Sequence, residues 1–120
     1  MDQKRSTPKN VQWVGDSKER LQAFPEPVRK DIGHVLYRVQ IGETPSSAKP
    51  MTGIGSGVFE IVDIYSTDTY RAVYTVKIGQ SLYVLHCFQK KSKRGIRTPK
   101  KEIDLIKRRL ARAKEMESGL

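Results

Sequence analysis

From Gly57 to Phe88 the chain alternates apolar and polar residues in three runs with turn residues between them. A period of two over runs this short is the mark of half-buried strands, and closely spaced runs of this kind can only be antiparallel neighbours. Gly57 to Tyr65 puts Phe59 and Ile61 on one face and Val58, Glu60, Val62 and Ile64 on the other. Ser66-Thr67-Asp68 has the side chains of a turn. Tyr70 to Ile78 sets Tyr70, Ala72, Tyr74, Val76 and Ile78 opposite Arg71, Val73, Thr75 and Lys77. Gly79-Gln80 reads as a two-residue hairpin turn, and Leu82 to Phe88 closes the meander.

Helices flank this sheet. Lys9 to Val14 reads as a short strand, after which Asp16 and Glu19 have the spacing of a capping box. Phe24-Pro25 stops the helix that Asp16 opens. From Glu26 to about Ile41, the residues Val28, Ile32, Val35, Leu36 and Val39 recur at helical spacing and predict one buried stripe. His34 lies off that stripe, as an exposed helix residue. Gly42 fits the position just past the helix, and Glu43 to Gly57 reads as one long loop with three glycines and two prolines. Its Gly53-x-Gly55-x-Gly57 has a helix before it and a strand after it. A phosphate-binding turn needs the reverse order, so this is not a nucleotide loop. A last helix opens with Thr98 as N-cap and Pro99 as first helical residue, with Ile103, Ile106 and Leu110 as its seam. The expected fold is α+β, a small antiparallel sheet in the order β-α-α-β-β-β-α packed against helices. The single domain spans residues 9–114, between an N-terminal tail at 1–8 and a frayed tail at 115–120.

Charge is distributed very unevenly. Between Gln89 and Lys114 stand twelve Lys or Arg against two acids, Glu102 and Asp104, an excess equal to the net charge of +10 for all 120 residues. Positive charge concentrated beside a compact fold is the footprint of a polyanion binder, above all nucleic acid. No apolar run approaches the ~20 residues that span a bilayer. Met1 to Pro8 are polar and basic without an apolar segment behind them, which reads as no signal peptide and a cytoplasmic chain. The lone Cys87 lies in an apolar strand pattern, as a buried thiol would. Two histidines and one cysteine far apart give no metal-ligand spacing, so no metal or cofactor is expected.

Candidate chemistry follows from polar residues inside apolar strands. Glu60 and Arg71 form either a structural ion pair or the wall of a ligand groove, with Arg71 gripping a phosphate and Glu60 accepting a proton. His86 is either a satisfied, semi-buried histidine or a general acid–base. Lys90 and Lys91 at the exit of the last strand, with Lys93, Arg94 and Arg97, would hold a nucleic-acid backbone. Tyr70, Tyr74, Tyr83 and Phe88 are aromatic candidates for base stacking. RNA carries its own nucleophile, the 2′-hydroxyl, so a base, cations and an acid suffice to cut it.

Ordered strings extend this reading. Trp13-Val14-Gly15, Phe24-Pro25, Gln40-Ile41-Gly42, Ala48-Lys49-Pro50-Met51, Gly57-Val58-Phe59-Glu60-Ile61, Tyr70-Arg71-Ala72-Val73-Tyr74, the run from Tyr83 to Lys93, and Thr98-Pro99 follow one another from about Val11 to Ala113. In order and spacing the chain resembles the RelE/HigB-type toxins of bacterial toxin–antitoxin pairs, in their phage-derived branch. The resemblance implies a small α+β ribonuclease that cuts messenger RNA, commonly on the ribosome, and is silenced by a helix-turn-helix antitoxin. It places activity at Lys49, Arg71, Lys90 and Lys91, with Glu60 matching a carboxylate of this branch. The chain lacks the tyrosine or histidine that some relatives carry after Lys91. Two other outcomes stay open: a toxin of the same fold that inhibits a protein such as gyrase, and an inactive, RNA-binding prophage protein.

Overall fold

Alternation and helical periodicity are realised in a computed structural model that describes residues 7–90 and 98–119. In chain order the elements are β1 (Val11–Trp13), α1 (Ser17–Gln22), α2 (Glu26–Gln40), β2 (Ala48–Pro50), β3 (Val58–Tyr65), β4 (Asp68–Thr75), β5 (Leu82–Lys90) and α3 (Lys100–Glu117). The five strands form one sheet in the order β1-β5-β4-β3-β2. The class is α+β, as expected.

Two features of the sheet differ from expectation. It is mixed, because β1 runs parallel to β5, with Val11 opposite Leu82 and Trp13 opposite Val84. Side-chain alternation in three residues does not encode strand direction. The loop after α2 contains β2, antiparallel to β3, with Ala48 opposite Ile61 and Lys49 opposite Glu60. Pro50 is compatible with a strand there because β2 lies at the sheet edge, where a missing N–H breaks no ladder bond.

Strand and helix ends also shift. β4 ends at Thr75, so the turn before β5 is wider than two residues, and the register between the two slips at Val73 and Tyr74. The N-cap of α3 is Pro99, with no side-chain cap bond. Thr98 therefore precedes the cap rather than forming it. Asp16 makes no cap bond either, because its carboxylate is drawn to Arg20 and Arg109 instead. Far from fraying after Lys114, α3 continues to Glu117, whose Oε1 accepts a 2.6 Å hydrogen bond from the Tyr83 hydroxyl.

The sheet separates two apolar clusters. On one face Val28, Ile32, Leu36 and Val39 of α2 pack with Phe24 onto Ile61, Tyr70, Ala72, Tyr74, Val84 and Cys87. On the other, Ile106 and Ala113 of α3 meet Val58, Val73, Leu85 and Phe88. Cys87 is fully enclosed, and burial pushes its thiol up to about 12. It is an inert core residue.

One polar side chain is poorly housed on the α2 side. Asp63 of β3 has a buried oxygen without a hydrogen-bond partner. Burial, and then the carboxylate of Asp31 on α2, raise it to about 6. Between its ordinary value of 3.8 and about 6 the folded chain binds a proton that the unfolded chain does not. Stability is therefore lost as pH rises through that window. Asp63→Asn should add about 1 kcal/mol above neutral pH, after allowance for solvent screening, and almost nothing below about pH 4. Urea unfolding at the two pH values reads the difference, and an equal gain at both would contradict the assignment.

Candidate active site

Strand register gathers the polar residues of the sheet on the face that α3 only partly covers. Lys49 lies opposite Glu60, and Glu60 opposite Val73. Arg71 lies two residues before Val73 and opposite Phe88, while Thr69 lies opposite Lys90. Directly paired residues project to the same side. Lys49, Glu60, Arg71 and Lys90 therefore share one face.

Glu60 and Arg71 meet there. Arg71 Nη1 donates to Glu60 Oε1 at 3.1 Å, with side chains only 9% and 17% exposed. Arg71 Nε is buried and has no partner among the described residues. A buried donor left unmade costs roughly 1–3 kcal/mol, so this nitrogen can take an acceptor that the described residues do not supply.

That acceptor has a place to enter. Pro50 at the end of β2, Met51 to Gly53 after it, Glu60, Arg71, and Thr98 and Ile103 around the start of α3 line a cleft of about 510 Å³. A guanidinium presents donors in a planar fork that suits an oxyanion, and low surrounding dielectric strengthens the pairing. The carboxylate beside it can take a proton. Sequence reasoning missed the cleft's other walls, since neither the loop after β2 nor Thr98 and Ile103 carries a chemical mark of its own.

The remaining candidates distribute as follows. Lys49 is exposed on β2, across from Glu60. Lys90, the last residue of β5, is partly buried and has its carbonyl bonded by Thr69 Oγ1 at 3.3 Å. Both share the sheet face with Arg71, although neither lines the cleft itself. Lys91, Lys93, Arg94 and Arg97 lie outside the described residues.

Tyr74 requires a correction. It faces α2, on the opposite side of the sheet from Arg71, is 2% exposed, and stacks on Phe59 at 5.7 Å. Burial pushes its phenol up to about 12. It is a core residue and presents no ring to a base.

Of the two readings of His86, the geometry fits the satisfied, buried histidine and not the general acid–base. It is 1% exposed, with Nε2 at 2.7 Å from Glu102 Oε1 and Nδ1 at 3.4 Å from Arg109 Nη1. Arginine only donates, so Nδ1 is the acceptor, and the proton on Nε2 goes to Glu102. Burial, against the opposing pull of Glu102, lowers the histidine's pKa and keeps the ring neutral. Arg109 also donates to the Leu85 carbonyl at 3.1 Å and to Asp16 Oδ1 at 2.7 Å. Arg109 and Arg20 together hold Asp16 down to about 2. This chain of contacts ties α3 to β5 and to the start of α1, and both ring nitrogens are committed within it.

Gly15 belongs to the same network. It adopts φ +59, and a Cβ there would stand 2.6 Å from the Arg109 guanidinium. A side chain there would be strained at this φ and would make the guanidinium shift from its place beside Asp16.

A double arginine-to-alanine mutant of the E. coli toxin RelE in the free state superposes with a TM-score of 0.54 at 17% identity, covering 72% of this chain and 85% of that one. The isolated E. coli RelE toxin gives 0.55 at 18% identity, covering 72% and 87%. The toxin–antitoxin complex RelBE2 from Mycobacterium tuberculosis aligns at 0.47 and 16% identity, covering 76% and 100%. No curated protein sequence matches significantly. The two E. coli structures share the fold of this chain. A family profile described as phage derived protein Gp49-like (DUF891) matches residues 19–111, most of the chain. By that match the protein belongs to the Gp49-like family of phage-derived proteins, and it is built on the RelE toxin fold.

Proposed function

We propose that the protein is the toxin of a toxin–antitoxin pair and an endoribonuclease that cuts messenger RNA without a metal. The observation that carries this reading is the buried Arg71 guanidinium, with an unpartnered donor, beside Glu60 in a cleft. Arg71 would hold the non-bridging oxygens of the phosphate and stabilise the charge that grows on them during attack. Glu60 would take the proton of the 2′-hydroxyl as that oxygen bonds to phosphorus. The bond from phosphorus to the 5′-oxygen then breaks, and the leaving oxygen takes a proton from Lys90 or Lys91. Lys49 and Lys90 hold the flanking backbone. With His86 committed elsewhere, Glu60 is the one side chain among the described residues of the cleft suited to be the base, so exact placement of the RNA matters more. The ribosome supplies that placement in this reading.

An acidic helix-turn-helix antitoxin is the partner in this proposal, supported by the net charge of +10 and the family. The test is a map of RNA ends after brief induction in a bacterial host. Internal attack leaves a 5′-hydroxyl on one product and a 2′,3′-cyclic phosphate on the other. The expected result is new 5′-hydroxyl ends inside coding regions. In a purified translation mixture, cleavage should stop when the 2′-oxygen at the cut site is methylated. DNA damage without RNA cuts would favour a protein target instead, and 5′-phosphate ends would refute the proposed attack.

A further inference from the structure

The cleft leaves most of the basic block unused. α3 turns Ile103, Ile106, Leu110 and Ala113 toward the sheet. Its other side exposes Lys100, Lys101, Lys107, Arg108, Arg112 and Lys114. Lys100 is paired with Asp104 and Arg112 with Glu115. Among the described residues, the other four have no acidic partner. The acids of α3 do not offset them: Glu102 and Glu117 bond His86 and Tyr83, and no acid lies between Asp104 and Glu115.

At 1.5 Å rise per residue, Lys101 and Arg108 are about 10 Å apart along the axis, and so are Lys107 and Lys114. Together the two columns cover roughly 20 Å of axis, over which a nucleic-acid duplex presents many phosphates. Two absences on this helix narrow the occupant. Protein interfaces depend on apolar and aromatic anchors and are depleted of lysine. Among the described residues the exposed large hydrophobics, Tyr37, Ile64 and Tyr65, lie on α2 and β3, none on α3. Single-stranded nucleic acid is held largely by stacking on aromatic rings, and α3 has no aromatic residue. Two columns of cations on a convex helix, Lys101 with Arg108 and, about 110° around the axis, Lys107 with Lys114, carry no rings and suit the backbones of a double helix.

We infer that the outward face of α3 binds the phosphate backbone of double-helical RNA, at a surface separate from the cleft. This binding does not depend on the chemistry proposed for the cleft.

The test uses a fluorescent RNA hairpin whose riboses are 2′-O-methylated, so that binding is read without cleavage. Lys107→Gln/Arg108→Gln is compared with Lys18→Gln/Lys30→Gln, which removes the same charge from exposed sites on α1 and α2. The α3 pair should weaken binding about 10- to 100-fold near 0.1 M salt and reduce the salt slope by about two, while the second pair changes affinity less than about threefold. Lys107→Arg/Arg108→Lys should bind like the parent, and circular dichroism melts verify that every variant folds. Equal losses from both pairs, no loss from the α3 pair, or loss in the charge-preserving swap would overturn the inference. Competition by poly-glutamate as effective as that by unlabelled hairpin would overturn it too, because the surface would then accept any acidic polymer.

Discussion

Arg71→Gln should reduce RNA cleavage at least 100-fold, the scale lost when one preorganised donor to a developing oxyanion is removed. Arg71→Lys should fare little better, because one ammonium cannot hold Glu60 and a phosphate in the geometry of a fork. Stability needs separate treatment. Removing the cation takes from Glu60, whose side chain is only 17% exposed, the guanidinium it is paired with. That alone should destabilise the single variant by about 1–3 kcal/mol. Glu60→Gln/Arg71→Gln replaces the ion pair with two neutral amides and should recover most of the loss, as replacements of buried pairs often do. Activity should not recover. Cleavage rates on a translation mixture and urea unfolding on the same samples read the two quantities. If the double variant regained activity along with stability, the pair would be structural and the cleft empty of chemistry.

His86→Ala should be the most destabilising of the polar substitutions. It opens a cavity at the interface between β5 and α3 and deprives Glu102 of its donor, together about 3–4 kcal/mol, or roughly 10–15 °C in melting temperature. The histidine also makes the parent acid-sensitive. Its folded pKa lies below the ordinary 6.5, so as pH falls under 6.5 the unfolded chain takes up a proton that the folded chain resists. The stability that neutral His86 provides is present above 6.5 and lost as pH falls toward the folded value. His86→Ala should abolish that part of the slope. Asp63 slopes the other way between 3.8 and about 6, but it is common to both chains and cancels in the difference. Cleavage per folded molecule should stay within about tenfold of the parent, because one acid–base group typically contributes 100-fold or more. A loss of activity without loss of stability would restore His86 to the reaction.

Sequence reading reached some of this and not the rest for identifiable reasons. β3, β4 and β5 were legible because alternation is a property of each strand alone. The same alternation already set Tyr74 apart from Arg71, since positions an odd number apart face opposite sides. Taking Tyr74 as a base-stacking residue overlooked that parity. Glu60 and Arg71 were singled out by their apolar neighbours, but only the pairing of β3 with β4 brings them to 3.1 Å. His86 stayed ambiguous because its fate depends on Glu102 and Arg109, residues of another element whose docking is not written into β5. β2 was hidden by its brevity and by Pro50. The basic block was visible as a whole, yet the string cannot tell the cations of α3 that face outward from Arg109, which turns in toward Leu85 and Asp16.

The cleft is enclosed by segments far apart in the chain, with Thr98 and Ile103 supplying its last wall. Glu60 and Arg71 sit on β3 and β4, whereas Thr98 and Ile103 come in the chain only after β5 has closed the sheet. A chain released after β5 would carry Arg71 and Glu60 without that wall, so the cleft takes shape only once the start of α3 has docked on the sheet.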